Sequence, residues 1–248
     1  GLSTGIGSLL GLYSKFENKR LLSLALGFSA GVMIYVSFME LLLLSFESLV
    51  GLYGHTYGQL IGVTAFIAGL LMMLFIDQLF DHHSIADFIS RSSNKDESLL
   101  VRTGIFSAIA LAIHNFPEGF ATFTAAVYDP TVGVTLATAI AIHNIPEGLA
   151  VSVPIYYATK NKAKAFWISF ASGLAEPLGA LVGFLIFRTV YNEALFGVSF
   201  ALCAGIMIYV SLNELLPVAK EYGKPSDPII GVTAGIIVMA ISLILMYA

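Results

Sequence analysis

The sequence predicts an all-α integral membrane protein of eight transmembrane helices, ordered as three helices, a central pair and three more in an inverted repeat. Three observations lead there. The chain is 57% hydrophobic and only 11% charged, with a mean hydropathy of +0.86, whereas soluble domains are about 25% charged. Its apolar stretches approach the roughly 20 residues a bilayer-spanning helix needs, and they are continuously apolar rather than alternating as in a membrane barrel. Its basic residues collect in alternate loops.

The first apolar run, residues 1–14, is short for a span. The others cover residues 21–46, 57–80, 104–127, 131–158, 165–190, 194–218 and 228–247, separated by charged or Gly/Pro/Asn-rich breaks. Lys15, Lys19 and Arg20 fall in the first loop and Arg91, Lys95 and Arg102 in the third. Lys160, Lys162 and Lys164 fall in the fifth, and Lys220 and Lys224 in the seventh. Only Arg188 lies on the other side. The positive-inside bias places those four loops in the cytoplasm and both termini on the extracellular or periplasmic side. A wrong helix count would scatter these charges, so they also check the segmentation.

Residues 81–102 are polar and mixed in charge, and read as a cytoplasmic loop rather than a second domain. His82 and His83 within it are a candidate metal-catching pair. The net charge of −4, without a basic stripe, excludes a nucleic-acid partner. A single cysteine, Cys203, excludes an intrachain disulfide and a cysteine-based zinc site, and reads as a small apolar packing residue.

Internal repeats set the architecture. The segment Ala30-Gly31-Val32-Met33-Ile34-Tyr35-Val36-Ser37 reappears as Ala204-Gly205-Ile206-Met207-Ile208-Tyr209-Val210-Ser211, and each copy has a glutamate three residues further on, Glu40 and Glu214. Ile61-Gly62-Val63-Thr64-Ala65 reappears as Ile230-Gly231-Val232-Thr233-Ala234, and Gly1, Gly7 and Gly11 match Gly173, Gly179 and Gly183. Partners lie five helices apart, so they cross in opposite senses, as in transporters whose sites sit at the midplane between repeats. Because Gly1 pairs with Gly173, inside the sixth span, helix one is expected to extend about one and a half to two turns beyond Gly1.

The central pair carries the chemistry. His114-Asn115-Phe116-Pro117-Glu118-Gly119 is followed, 29 residues on, by His143-Asn144-Ile145-Pro146-Glu147-Gly148. In each copy the His and Glu are four apart and the Asn three before the Glu, so all three share a helical face. Ionisable groups at mid-bilayer cost about 2.5–3.5 kcal/mol each on insertion scales, and neighbouring carboxylates do not all ionise without a counter-cation. No deep Lys or Arg supplies one, which points to a bound metal ion or to protons that exchange with it. Pro117 and Pro146 each remove a helix hydrogen bond, and freed backbone is tolerated in a membrane only against protein or a cavity. Imidazole and carboxylate suit zinc, iron or manganese, not cuprous copper. His114, Glu118, His143 and Glu147 make a four-ligand site acceptable to zinc. Asn115, Asn144 and the shared glutamates make an oxygen-rich second one, with Glu176 the only other deep acid nearby. Glu40, Glu214 and Asp77 are nearer the ends and read either as relays or as interhelical hydrogen-bonding groups.

The doubled cassette with the helix-six glutamate resembles the ZIP (Zrt/Irt-like) divalent metal transporters, closest to the bacterial zinc-uptake type, and the likeness spans the whole chain as a single transmembrane domain. The resemblance implies import of zinc, with iron, manganese, cobalt or cadmium as further substrates, into the cytoplasm. It also implies a binuclear midplane site on helices four, five and six, a homodimer, a multi-pass location in the cell membrane and no prosthetic group. By it, His114, Glu118, His143 and Glu147 are the first metal site; Asn115, Asn144 and Glu176, with the shared glutamates, are the second. It further implies an elevator motion of helices one, four, five and six against two, three, seven and eight. Some members carry Asp where this chain has Asn144, so the second site here has less charge. A metal-selective channel is the alternative. An intramembrane metalloenzyme fits poorly, because the residue after each His is Asn, where the zinc-protease pattern has a Glu base. The chain is therefore read as a transporter and not an enzyme.

Overall fold

Several helices of the fold start or stop at residues whose chemistry favours it. The computed structural model describes the chain except residues 14–18, 80–94, 190–191 and 248, and among the described residues it is helical with no strand. In chain order the helices are α1 (Leu2–Tyr13), α2 (Lys19–Val36), α3 (Leu42–Tyr53), α4 (His55–Leu79), α5 (Lys95–Tyr128) and α6 (Pro130–Thr159). There follow α7 (Lys162–Gly173), α8 (Ala175–Thr189), α9 (Glu193–Val210), α10 (Leu216–Tyr222) and α11 (Asp227–Tyr247). Gly54, at φ +76°, makes the tight turn between α3 and α4. Asp129 caps α6, accepting from the Thr131 amide at 2.7 Å ahead of Pro130 in the first turn. Asn161 caps α7 and Asn192 caps α9 in the same way.

Among the described residues, six helical segments are long and apolar enough to cross a membrane: Arg20–Tyr53, His55–Gln78, Pro130–Val153, Lys162–Thr189, Glu193–Tyr222 and Asp227–Leu245. Leu2–Tyr13 is a shorter apolar helix, and α5 runs for 34 residues with the first cassette in its second half. Four features differ from the sequence reading. The second and seventh spans run on to Tyr53 and Tyr222, beyond residues 46 and 218, because the helix passes through a π-helical turn at Ser37–Leu41 and at Ser211–Leu215 without stopping. Helix α5 begins at Lys95, inside the stretch expected as loop. The sixth span is not one rod: it breaks at Leu174. Pro177 has no N–H for the Gly173 carbonyl and its ring crowds that oxygen, so α7 ends and α8 restarts with Glu176 in its first turn.

Two groups of helices pack among themselves. Helices α1, α5, α6, α7 and α8 form one; α2 with α3, α4, α9 with α10, and α11 form the other, and they meet mainly where α2 lies on α6 and α9 on α5. A core of large side chains, among them Leu26, Met33, Leu136, Phe196, Phe200 and Met207, fills the space between them.

At the ends of α2 and α11, Asp227 is fully buried and accepts from Arg20 Nε at 3.1 Å and from the Lys224 amide at 2.9 Å. Arg20 is largely exposed, so most of the effect lies in the amide. Replacement of Asp227 by Ala is expected to cost about 1–2 kcal/mol, the range for a lost helix cap, read as a lower melting temperature in detergent. An unchanged melting temperature would show that the turn holds without it.

Candidate metal centre

The cassettes face one another because α5 and α6 are antiparallel neighbours joined by a single residue, Asp129. Both helices continue through their prolines. The cassette glycines set how close the next helices come. A Cβ at Gly119 would run into the backbone carbonyl of Glu176 on α8, and one at Gly148 into that of Thr4 on α1. Glu176 thus reaches the site through contact of bare backbone.

Glu118, His143 and Glu147 are fully buried and each offers a ligand atom, all within 4.8 Å of one another. His143 Nε2 lies 3.2 Å from Glu118 Oε1. Two ligands at about 2.0 Å from a tetrahedral zinc stand roughly 3.3 Å apart, so this pair already has the spacing of one edge. With a proton on Nε2 the ring donates to the carboxylate; without it the same lone pair faces a cation. His114 lies on α5 one turn before Glu118, and its side chain is outside the described residues.

Asn115 and Asn144 are fully buried. Asn144 Nδ2 donates to Glu176 Oε1 at 2.5 Å, and Asn115 Nδ2 to the Ser172 carbonyl at 3.5 Å. Among the described residues, three buried oxygens, Asn115 Oδ1, Asn144 Oδ1 and Glu118 Oε2, have no hydrogen-bond partner. An orphaned buried acceptor costs about 1–3 kcal/mol, more when charged. Such acceptors are what an oxygen-coordinated cation would satisfy.

The other sequence candidates separate. Asp77 accepts from Tyr209 Oη at 2.9 Å and Asn213 Nδ2 at 3.2 Å, which makes it an α4–α9 cross-link. Glu40 is buried and lines a cavity of about 570 Å³ with Glu47, Tyr128 and Asp129. Glu214 is half-buried in the second π-helical turn. His82 and His83 lie outside the described residues. Cys203 is buried, as a packing residue should be, with Sγ 3.6 Å from the Pro117 carbonyl oxygen. Sequence reasoning missed Ser29, Ser169 and Ser172. Ser169 Oγ donates to the Gly148 carbonyl at 3.2 Å, and the Ser8 hydroxyl donates to Ser169 Oγ at 2.7 Å. Nothing in an apolar helix marks such serines out, since their usual partner is the carbonyl four residues back.

Comparison with known proteins decides the family. Residues 81–243 match the family described as ZIP Zinc transporter. The chain belongs to the ZIP family. Named relatives of this ZIP chain include a "Zinc transporter ZupT" of Chlorobium chlorochromatii (strain CaD3), 52% identical over 251 residues that cover 99% of this chain and 94% of the relative. Proteins of the same name from Streptococcus mutans, at 49% identity, and Oceanobacillus iheyensis, at 47%, cover the same shares. As a ZIP protein the chain is a membrane protein of the divalent-metal transport class, and the buried His–Glu–Glu cluster lies at the doubled cassette on its central helices.

Proposed function

We propose that this chain imports divalent metal, zinc foremost, into the cytoplasm through two adjoining midplane sites. His114, Glu118, His143 and Glu147 form the first. Asn115, Asn144 and Glu176, with the two shared glutamates, form the second. The observation that carries this is the buried Glu118–His143–Glu147 cluster, in a chain whose basic residues stand at helix ends and loops. A transported cation is the charge that balances it. Two sites sharing carboxylates let one ion weaken the hold on the other, which helps release from a dehydrated site.

Eight spans with both termini outside, an inverted repeat and an elevator motion belong to the same proposal. The matched positions of the two π-helical turns support the repeat, as does the equivalence of Thr4 against Gly148 and Glu176 against Gly119. The two packing groups of helices support a moving unit of spans one, four, five and six. The acidic cavity at Glu40 suits an outer entrance. Exposed apolar faces on α4 and α11, with Leu71, Phe75, Ile237 and Ile241, suit lipid or a second copy in a homodimer of the cell membrane. Iron, manganese, cobalt and cadmium are further candidate substrates on donor chemistry.

The test is uptake of labelled zinc by purified protein in proteoliposomes. Saturable flux is expected, slow enough for a carrier; flux rising linearly with zinc would instead favour the channel. Flux equal to that of empty liposomes would refute both.

A further inference from the structure

We infer that Ser29 is a positioning residue that holds Glu147 in its ion-binding orientation from across the boundary between the two helix groups. The inference rests on the proposed zinc site and adds to it a residue outside the cassettes. Ser29 is on α2, fully buried, in the group that contributes no cassette residue. Its Oγ lies 3.4 Å from Glu147 Oε1 and 3.3 Å from the His143 carbonyl oxygen. A hydroxyl has one proton to donate. It goes to one acceptor at a time, and the charged carboxylate is the stronger of the two.

Two features make the contact more than packing. The first is its target: a hydrogen bond to one carboxylate oxygen fixes the plane of the group and leaves the other oxygen directed at the ion. Partners of this kind typically govern metal affinity 10–100-fold. The second is register. Ser29 directly precedes Ala30-Gly31, and Cys203 directly precedes Ala204-Gly205, so the two occupy the same place in the repeated segment. Cys203 likewise reaches across to the other cassette, at the Pro117 carbonyl. The second-repeat residue touches only backbone, with a weak donor, whereas Ser29 touches a ligand. Position 29 is thus where the neighbouring group senses the state of the metal site. Movement of α6 past α2 breaks this bond.

The experiment is a zinc titration of the purified full-length chain in detergent, alongside zinc uptake kinetics. Ser29→Ala, nearly isosteric, is expected to weaken zinc binding and raise KM by about 10-fold while leaving the maximal rate within about threefold. Ser29→Thr, which keeps the hydroxyl, restores most of the affinity; Cys203→Ala leaves it within about threefold. In a Glu147→Ala background Ser29→Ala adds less than about twofold, because the contact is already gone and two residues acting through one contact are not additive. A pure packing role predicts no change for Ala and harm for the bulkier Thr. Wild-type affinity in Ser29→Ala, or full additivity with Glu147→Ala, would overturn the inference while the zinc site stands. A wild-type chain that binds no zinc would overturn both.

Discussion

Alanine at position 118 is expected to abolish zinc uptake, by more than about 100-fold, and to do so without weakening the metal-free protein. The Glu118 carboxylate is fully buried, one oxygen 3.2 Å from His143 Nε2 and the other without a partner among the described residues. In the metal-free state it is a desolvation cost with one hydrogen bond to offset it. Its removal therefore leaves the apo melting temperature unchanged or raised. In the presence of zinc the same carboxylate is one of the two groups common to both proposed sites, and losing a direct ligand exceeds the roughly 10–100-fold of a lost supporting contact. Zinc at 100 times its dissociation constant stabilises a folded protein by about 2.7 kcal/mol. That zinc-dependent rise in melting temperature should vanish in Glu118→Ala. His143→Ala should lose less, because Glu118 and the amides still hold an ion. Uptake by Glu118→Ala at the wild-type rate would remove the cluster from the pathway altogether.

The contrast between Glu118 and Ser29 shows how far the sequence can be read. The cassette is legible because it places charge where hydropathy says lipid should be, and because His, Asn and Glu at helical spacing share a face whatever the helix packs on. The family follows from the same residues. Helix ends are partly legible: Asp129-Pro130 announces a cap, whereas the break at Leu174 is hidden inside an evenly apolar run and visible only through the demand of Pro177. The π-helical turns at Ser37–Leu41 and Ser211–Leu215 change neither composition nor hydropathy, so only coordinates reveal them. Asp77 shows a further limit. A half-buried acid reads as relay or cross-link until its neighbours are known, and Tyr209 and Asn213 make it a cross-link. Ser29 is silent in sequence because its partner lies 118 residues away.

The largest effect expected from a residue with no ligand atoms is at Gly119. Alanine is favoured over glycine inside a helix by about 1 kcal/mol, so a substitution in open space should stabilise. Gly51 on α3, with nothing near its missing Cβ, is that case, and Gly51→Ala is expected to raise the melting temperature or leave it alone. At Gly119 the added methyl falls on the Glu176 carbonyl oxygen, which is backbone and cannot rotate away. Gly179 meets the Phe116 carbonyl in the same interface from the other side, so α5 and α8 touch through both glycines and separate as rigid surfaces. Overpacking costs about 1–3 kcal/mol, which outweighs the propensity gain and reverses its sign. Separation also draws Glu176 off Asn144, now 2.5 Å away, and opens the second site. Gly119→Ala should therefore melt below wild type and lose most zinc uptake although every ligand is present. A Gly119→Ala protein as stable and as active as Gly51→Ala would mean that contact between α5 and α8 does not hold Glu176 in place.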